Sequence, residues 1–301
     1  MKKIFNSPVK RKTTKLVLYI IVFISILIFS FFRIRSNNYS VFDGERAYQD
    51  VKYQVDLGPR IPGTDAHMHL SDWLCAISEQ KSWECEKIIS GSDPEIINIV
   101  ARRGNRGPLI IIGAHYDTRL WADNDPDPNN RKKPVIGAND GASGVAILTE
   151  LSRTIPSDLE KQIWLVFFDA EDQGGIDGQD WIMGSSEFVN TMNVSPDAVI
   201  IVDMVGDRDL NLFYERNSDE ELMVQIWETA RNLGFSKNFI PKYKHSILDD
   251  HTPFLRQGYR AVDIIDFDYP YWHTVNDSID KISSDSLYIV GQSLLTWLLE
   301  N

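Results

Sequence analysis

The chain has 301 residues, of which 43% are hydrophobic, and its formal net charge is -12. This length and composition suffice for one large domain with a substantial core, and the acidic balance argues against a nucleic-acid partner because no basic face is available. The two cysteines, Cys75 and Cys85, are too few for a disulfide framework or a thiolate zinc site. They form either one local bridge or two packed thiols.

The first apolar segment of the chain carries no charge and is preceded by a basic stretch. At ~1.5 Å per residue it reaches roughly 25 Å, a little less than the ~30 Å hydrocarbon core of a bilayer. The positive-inside rule keeps its N-terminal side in the cytoplasm and places the remainder on the exported or lumenal side. A cleaved signal peptide, which would release a secreted protein, is the alternative. We therefore expect a cytoplasmic tail (1–15), a transmembrane anchor in the lipid bilayer (16–32), a tether (33–45) and one catalytic domain (46–301).

Beyond the tether, strand-like and helix-like segments alternate. Helical spacing predicts helices at residues 65–80 with Thr64 as the cap, 141–153, 185–191, 220–233 and 284–299. Apolar runs predict strands at residues 83–89, 96–102, 109–114, 163–169, 198–203 and 261–265. The alternation predicts an α/β fold with a mixed, mostly parallel central sheet and helices on both faces. Residues 121–133, rich in Asp, Asn and Pro, predict a surface loop.

Metal-type ligands follow several of these strands. Two predicted strands run into His115 and Asp203, and the strand 163–169 is followed directly by Glu171 and Asp172. Buried acids cost several kcal/mol unless a cation or a proton offsets their charge. Because the carboxyl ends of parallel strands converge at one edge of a sheet, these residues indicate a metal site with the nitrogen and oxygen ligands that zinc accepts. The same edge should receive Asp140, from a Gly-bounded turn before a helix, and His273. Taken alone, Asp140 could be a helix cap and His273 could be a hydrogen-bonded loop histidine.

In combination, these motifs resemble the co-catalytic zinc aminopeptidase superfamily. The residues that carry the resemblance are His115-x-Asp117, Gly-Ala-Asn-Asp140-Gly, Asp-Ala-Glu171-Asp172, Asp203 and His273-Thr274. Within the superfamily the chain is most similar to the animal-type glutaminyl-peptide cyclotransferases, or glutaminyl cyclases. This closer resemblance rests on residues 57–63, on Asp249-Asp250-His251 with the residues that follow it, and on Trp272 directly before His273.

The resemblance implies one zinc per chain, bound by Asp140, Asp172 and His273. Glu171 would carry a proton from the α-amino group of an N-terminal glutamine to the departing ammonia, and Asp203 and Asp249 would orient the reacting nitrogens. Trp272 would contact the substrate. The substrates would be peptides or proteins that begin with glutamine, with glutamate as the alternative, and the enzyme would be a monomer.

Two departures from the animal enzymes concern the site. The ligand Asp172 stands where the cyclase pattern has Glu, and Asp263 stands where it has His. The main alternative is a two-zinc aminopeptidase, in which His115 and Asp203 would hold a second metal; in a cyclase, His115, Asp117 and Asp263 would instead support the site from outside. The third alternative is a membrane-tethered binding protein without activity.

Three other residues are expected to be outside the site. His67 and His69 lack the spacing of a zinc-binding helix, so we expect them at the surface. Arg60 is expected to be structural and to pair with an acid.

Overall fold

The protein is described here by a computed structural model, which covers residues 41–91 and 95–301. Its helices are α1 (Gly44–Leu57), α2 (Asp65–Glu79), α3 (Ala142–Thr154), α4 (Met183–Thr191), α5 (Glu220–Asn232), α6 (His251–Arg256) and α7 (Ser284–Glu300). Its strands are β1 (Glu84–Ser90), β2 (Ile96–Arg103), β3 (Leu109–His115), β4 (Gln162–Phe168), β5 (Ala198–Asp203), β6 (Leu212–Tyr214), β7 (Phe239–Tyr243) and β8 (Ala261–Ile265). A short 3₁₀ turn covers Ile279–Lys281.

The central sheet has six strands in the order β1-β2-β4-β3-β5-β8. The strands β4, β3, β5 and β8 are mutually parallel, whereas β2 pairs antiparallel with both β4 and β1. The predicted mixed, mostly parallel sheet is therefore confirmed. β6 and β7 form a separate parallel pair.

Successive side chains of a strand point to opposite faces of the sheet, so continuous apolar strands make both faces apolar. Helices cover both of these faces. In β3, Ile110 and Ile112 join the larger apolar cluster, to which α3 contributes Val145. Ile111 joins the smaller cluster on the other face, which contains Phe188 of α4. The expected layer arrangement is confirmed, and the helices leave the carboxyl ends of the parallel strands free to carry a site.

The predicted helices and strands agree with the structure to within about two residues, and Thr64 caps α2 by accepting the N–H of His67 at 3.4 Å. Sequence analysis missed α1, which the acid Asp43 caps. Its buried face includes Asp50 and Gln54, so the apolar stripe is interrupted by polar groups. Both have distant partners, since Arg153 donates to Asp50 at 3.0 Å and the amide nitrogen of Gln54 donates to the carbonyl of Ala142 at 3.0 Å.

Cys75 and Cys85 are disulfide-bonded, with their Cα atoms 5.4 Å apart. The bond joins α2 to β1 and decides between the two alternatives that the sequence left open. No helix among residues 41–91 and 95–301 is both long and apolar enough to cross a bilayer. The expected anchor at residues 16–32 lies outside the described residues.

Candidate active site

Three neighbouring parallel strands deliver the ligand-type residues to one edge of the sheet. β3 ends at His115, β5 ends at Asp203, and β4 ends two residues before Ala170. The backbone of Ala170 is left-handed (φ 50°), as is that of His273 (φ 55°). Left-handed backbone at non-glycine residues is strained and is concentrated at functional sites. The turns that carry the candidate ligands are thus held in conformations that the surrounding structure imposes.

Asp140, Asp172 and His273 come together as predicted. One ligand atom from each lies within 4.8 Å of the others, and all three residues are buried. His273 Nε2 is 2.9 Å from Asp172 Oδ1 and 3.8 Å from Asp140 Oδ2. His273 Nε2 and the Oδ2 atoms of both acids have no hydrogen-bond partner. Because buried polar atoms are rarely left unpaired, this cluster suits a cation.

His115 forms a second group with Asp140 and Asp203, whose ligand atoms also lie within 4.8 Å of one another. Its Nε2 is 3.0 Å from Asp140 Oδ1 and 3.2 Å from Asp203 Oδ1. Burial raises the pKa of Asp203 to about 7, although the contact with His115 opposes this shift. Asp140 thus belongs to both groups, as a ligand shared between two metals would.

Asp117 supports the turn after β4 and does not enter the cavity. Its carboxylate accepts the backbone N–H groups of Glu171 at 3.0 Å and Asp172 at 3.2 Å, and the side-chain amide of Gln173 at 2.9 Å. It also lies 3.4 Å from Nδ1 of His115. A single buried acid therefore fixes the turn that carries both Glu171 and Asp172.

A cavity of about 220 Å³ opens above the three clustered ligands. Glu171, Asp203 and Asp249 line it, so the predicted catalytic residues lie in one place. Burial raises the pKa of Glu171 well above its usual range, and the neighbouring carboxylates of Asp172 and Asp249 add to the shift. An acid with a raised pKa beside a substrate cavity is suited to proton transfer.

The rest of the cavity wall is mainly apolar. Trp272 lines it and packs against Phe267, with ring centroids 5.0 Å apart. Trp181 lines it from the other side and stacks parallel to the ring of His273 at 6.0 Å. The remaining apolar wall is formed by Met204, Ile247, Leu248 and Ile265. Of these side chains only Trp272 was predicted to line the pocket; Ile247 and Leu248 could not be, because residues 246–248 belong to a loop without a motif.

Asp263 is buried but does not line the cavity. It forms a third group with Asp249 and His251, and its Oδ2 lies 3.9 Å from Nδ1 of His251. Neither carboxyl oxygen of Asp263 has a hydrogen-bond partner. Burial raises the pKa of Asp263 well above its usual range, as does repulsion by Asp249 and Asp203. Asp263 therefore stands behind Asp249 and reaches the cavity only through it.

Two expectations about other residues were wrong. His67 is fully buried, and its Nε2 lies 2.8 Å from Asp169, the residue before Ala170; only His69 is exposed as predicted. Arg60 is buried and pairs with carbonyl groups rather than with an acid, since it donates to Ile136 and, at 2.8 Å, to Gly137. Residue spacing could not show that His67 is buried, because its partner Asp169 is distant in sequence.

The chain matches peptidase family M28 over residues 98–298. A crystal structure of the glutaminyl cyclase of Bacteroides thetaiotaomicron, bound to N-acetylhistamine, superposes with a TM-score of 0.83 at 32% sequence identity, covering 88% of this chain and 100% of that one. Glutaminyl-peptide cyclotransferase of Bos taurus is 23% identical over 229 residues, 64% of this chain and 62% of the bovine protein. Aminopeptidase YwaD of Bacillus subtilis (strain 168) is 26% identical over 239 residues, 72% of this chain and 47% of that protein.

The chain thus spans about three fifths of the length of the bovine cyclotransferase but the whole of the bacterial cyclase structure. The family match extends over most of the described domain and includes every candidate ligand. These similarities agree with the ligand geometry, and the chain belongs to peptidase family M28, within which it resembles the glutaminyl cyclases.

Proposed function

We propose that this protein is a zinc-dependent glutaminyl-peptide cyclotransferase, which converts an N-terminal glutamine to pyroglutamate and releases ammonia. The observation that carries the proposal is the position of Glu171. It lines a small, largely apolar cavity beside Asp172, one of three clustered metal-type ligands. The similarity to bacterial glutaminyl cyclases supports the same reaction.

The residues present fit one zinc ion. Two carboxylates and one imidazole are a usual zinc donor set, and each of the three offers an atom without a hydrogen-bond partner. Asp140, Asp172 and His273, which all line the cavity, would hold the ion. When bound, zinc would polarise the γ-carboxamide oxygen of the substrate as a Lewis acid.

Glu171 carries the proton in this proposal. It accepts a proton from the neutral α-amino group of glutamine as that nitrogen attacks the γ-carbonyl carbon. A new C–N bond closes the five-membered ring, and the γ-nitrogen leaves as ammonia after receiving the proton from Glu171. Because the attack is intramolecular, the protein contributes mainly by holding glutamine in a folded conformation and moving this proton.

Asp203 and Asp249 orient the nitrogens, since both line the cavity on the side of Glu171. Their negative charge attracts the α-ammonium group of the incoming peptide. Trp272 packs against the aliphatic part of the glutamine side chain and limits the entry of water. His115, Asp117 and Asp263 lie outside this contact surface and support it. Peptides beginning with glutamate would be the alternative substrates.

The test measures ammonia release and zinc content together. Purified protein is incubated with a peptide that begins with glutamine and, in parallel, with one that begins with leucine. We expect ammonia and a cyclised product from the first, no free amino acid from the second, and one zinc per chain. Free leucine without ammonia release would contradict the proposal.

The second candidate function is a two-zinc aminopeptidase. It is favoured by the group formed by His115, Asp140 and Asp203, in which Asp140 is shared with the first group. Two zinc ions per chain and release of free amino acids would support it. A protein that binds no zinc and acts on neither peptide would instead support the inactive binding protein.

We also propose that the domain at 46–301 acts as a monomer on the exported or lumenal side of a membrane. The disulfide Cys75–Cys85 supports this location, because such bonds persist in oxidising compartments. Residues 16–32 would anchor the protein in the bilayer, or would be removed with a signal peptide. Protease treatment of intact and permeabilised cells tests the topology, and the mass of the mature chain tests cleavage.

A further inference from the structure

We propose that Arg119 and Asp123 are positioning residues of the metal centre, and that they fix the orientation of two of its three ligands. Asp123 lies beside Nδ1 of His273, and Arg119 holds Asp123 together with the backbone of Asp172. The proposal rests on the metal-site part of the proposed function and does not depend on the reaction that the site catalyses.

The first step concerns the ring of His273. Its Nε2 faces Asp172 and Asp140, whereas its Nδ1 lies 3.4 Å from Oδ1 of Asp123. An imidazole that binds metal through Nε2 carries its proton on Nδ1, and that N–H needs an acceptor. Asp123 is the acid within reach of this nitrogen in residues 41–91 and 95–301. The adjacent backbone is fixed as well, since the N–H of Asn124 donates to the carbonyl of His273 at 3.2 Å.

The second step concerns Arg119, which is buried. It binds Asp123 through two parallel hydrogen bonds, from Nε at 2.9 Å and from Nη2 at 2.6 Å. Its Nη1 donates to the carbonyl of Asp172 at 2.8 Å, and both Nη atoms lie 3.2 Å from the carbonyl of Gly174. One planar guanidinium therefore connects the acceptor of one metal ligand to the main chain of another.

Arg119 is required to hold the Asp123 side chain in its orientation. The Asp123 side chain is 42% exposed, so without a partner it would rotate freely into solvent. Arg119 is in turn held in place by Trp181, with its guanidinium carbon 4.6 Å from the ring centroid. Lysine could not replace Arg119, because a single ammonium group cannot form the two parallel bonds or donate to both carbonyls.

The loop that carries Asp123 is attached to the segment after His273. Residues 121–133 include the buried Asp125, whose Oδ2 accepts the N–H of Val275 at 3.1 Å. The predicted surface loop is therefore exposed only in part, and it is tied to the segment after His273, the residue beside which Asp123 lies.

The experiment measures the zinc affinity of the full chain by competition with a chelator, and the melting temperature of the metal-free protein. We expect Asp123→Ala and Arg119→Lys each to weaken zinc binding by about 10–100-fold, as is usual when an outer partner of a metal ligand is removed. The double variant should be only slightly weaker than either single variant, because both residues act through the same contact. Asp123→Asn keeps an oxygen acceptor but loses the charge, so its zinc affinity should lie between those of Asp123→Ala and the wild type.

Arg153→Lys is the matched control. Arg153 is partly buried and binds Asp50 with two nitrogen–oxygen contacts, but it lies at the end of α3 and does not line the cavity. The substitution Arg153→Lys should lower the melting temperature of the metal-free protein and leave its zinc affinity unchanged. If Arg119→Lys and Asp123→Asn bind zinc as tightly as the wild type, the two residues have only a packing role and the proposal is wrong. A wild-type chain that binds no zinc would overturn both this proposal and the metal centre.

Discussion

Asp277 holds the backbone of Asp140, although 137 residues separate them in sequence. Its carboxylate accepts the N–H of Asp140 at 3.2 Å and that of Asn139 at 2.9 Å. The hydroxyl of Tyr269 donates to the same carboxylate at 2.7 Å. Because Asp277 lies four residues after His273, the segment that presents one candidate ligand also positions another. Asp277 therefore fixes the backbone that carries the candidate ligand Asp140, in addition to the contacts among the ligand side chains themselves.

The first prediction follows from this contact. Replacing Asp277 by Ala leaves the N–H groups of Asn139 and Asp140 without acceptors, so the turn should relax and move Asp140. We expect zinc binding to weaken by about 10-fold or more, measured by chelator competition. Tyr269→Phe removes only the hydroxyl contact and should have a smaller effect. Equal zinc affinity in the wild type and Asp277→Ala would mean that the turn keeps its shape unaided.

The second prediction concerns Glu171. Glu171→Gln keeps the size of the side chain but cannot accept the substrate proton, so we expect ammonia release to fall by at least about 100-fold. Zinc content should not change, because Glu171 is not among the three clustered ligands. The measurement combines the ammonia assay with metal quantitation on the same sample. Full activity with normal zinc content would show that another group transfers the proton.

The sequence predicted the central architecture because its signals are local. Buried strands such as Leu109–His115 are continuous apolar runs, and the three neighbouring parallel strands β4, β3 and β5 end at or just before ligand-type side chains. The parallel order of the strands then brings those ends together without further information. Strand ends alone indicated a metal site at this edge, the family resemblance named Asp140, Asp172 and His273 as its ligands, and the structure places these three residues in one cluster.

The supporting contacts could not be predicted because they join residues that have no shared pattern. Asp277 and Arg119 look like ordinary loop residues, and their roles depend on which backbone groups lie opposite them in the folded chain. His67 was expected at the surface for the same reason, since its partner Asp169 is 102 residues away. Asp277 lies only four residues after His273, but this spacing indicates a role for Asp277 only once the turn at Asp140 is known to lie next to Asp277.

The third prediction concerns the cavity wall. Trp272→Ala removes an aromatic surface that lines the cavity and packs against Phe267. We expect KM for glutamine peptides to rise about 3–10-fold, which corresponds to the usual contribution of an aromatic contact. Trp272→Phe should lose less. Trp164→Phe, a change on β4 away from the cavity, is the control and should leave KM unchanged. A fall in kcat with constant KM would instead mean that Trp272 stabilises the transition state and not the bound substrate.

The fourth prediction concerns Asp263, which faces Asp249, Asp203, Glu215 and His251. Burial and repulsion by the acids raise its pKa in the folded protein, whereas in the unfolded chain the pKa is about 4. Between these two values the folded state holds a proton that the unfolded state has lost. Asp263 therefore lowers the free energy of unfolding as the pH rises through this window, by about 1.4 kcal/mol per pH unit.

Asp263→Asn cannot titrate, so the variant lacks this contribution while the other buried groups remain. We expect it to gain stability relative to the wild type as the pH rises above the pKa of the unfolded chain. Urea unfolding of the metal-free proteins across this range measures the difference and excludes zinc binding as a cause. Asp158→Asn, a change at an exposed acid, is the control and should follow the wild type. If the curves of Asp263→Asn and the wild type are parallel, Asp263 keeps its charge in the folded state and the prediction is wrong.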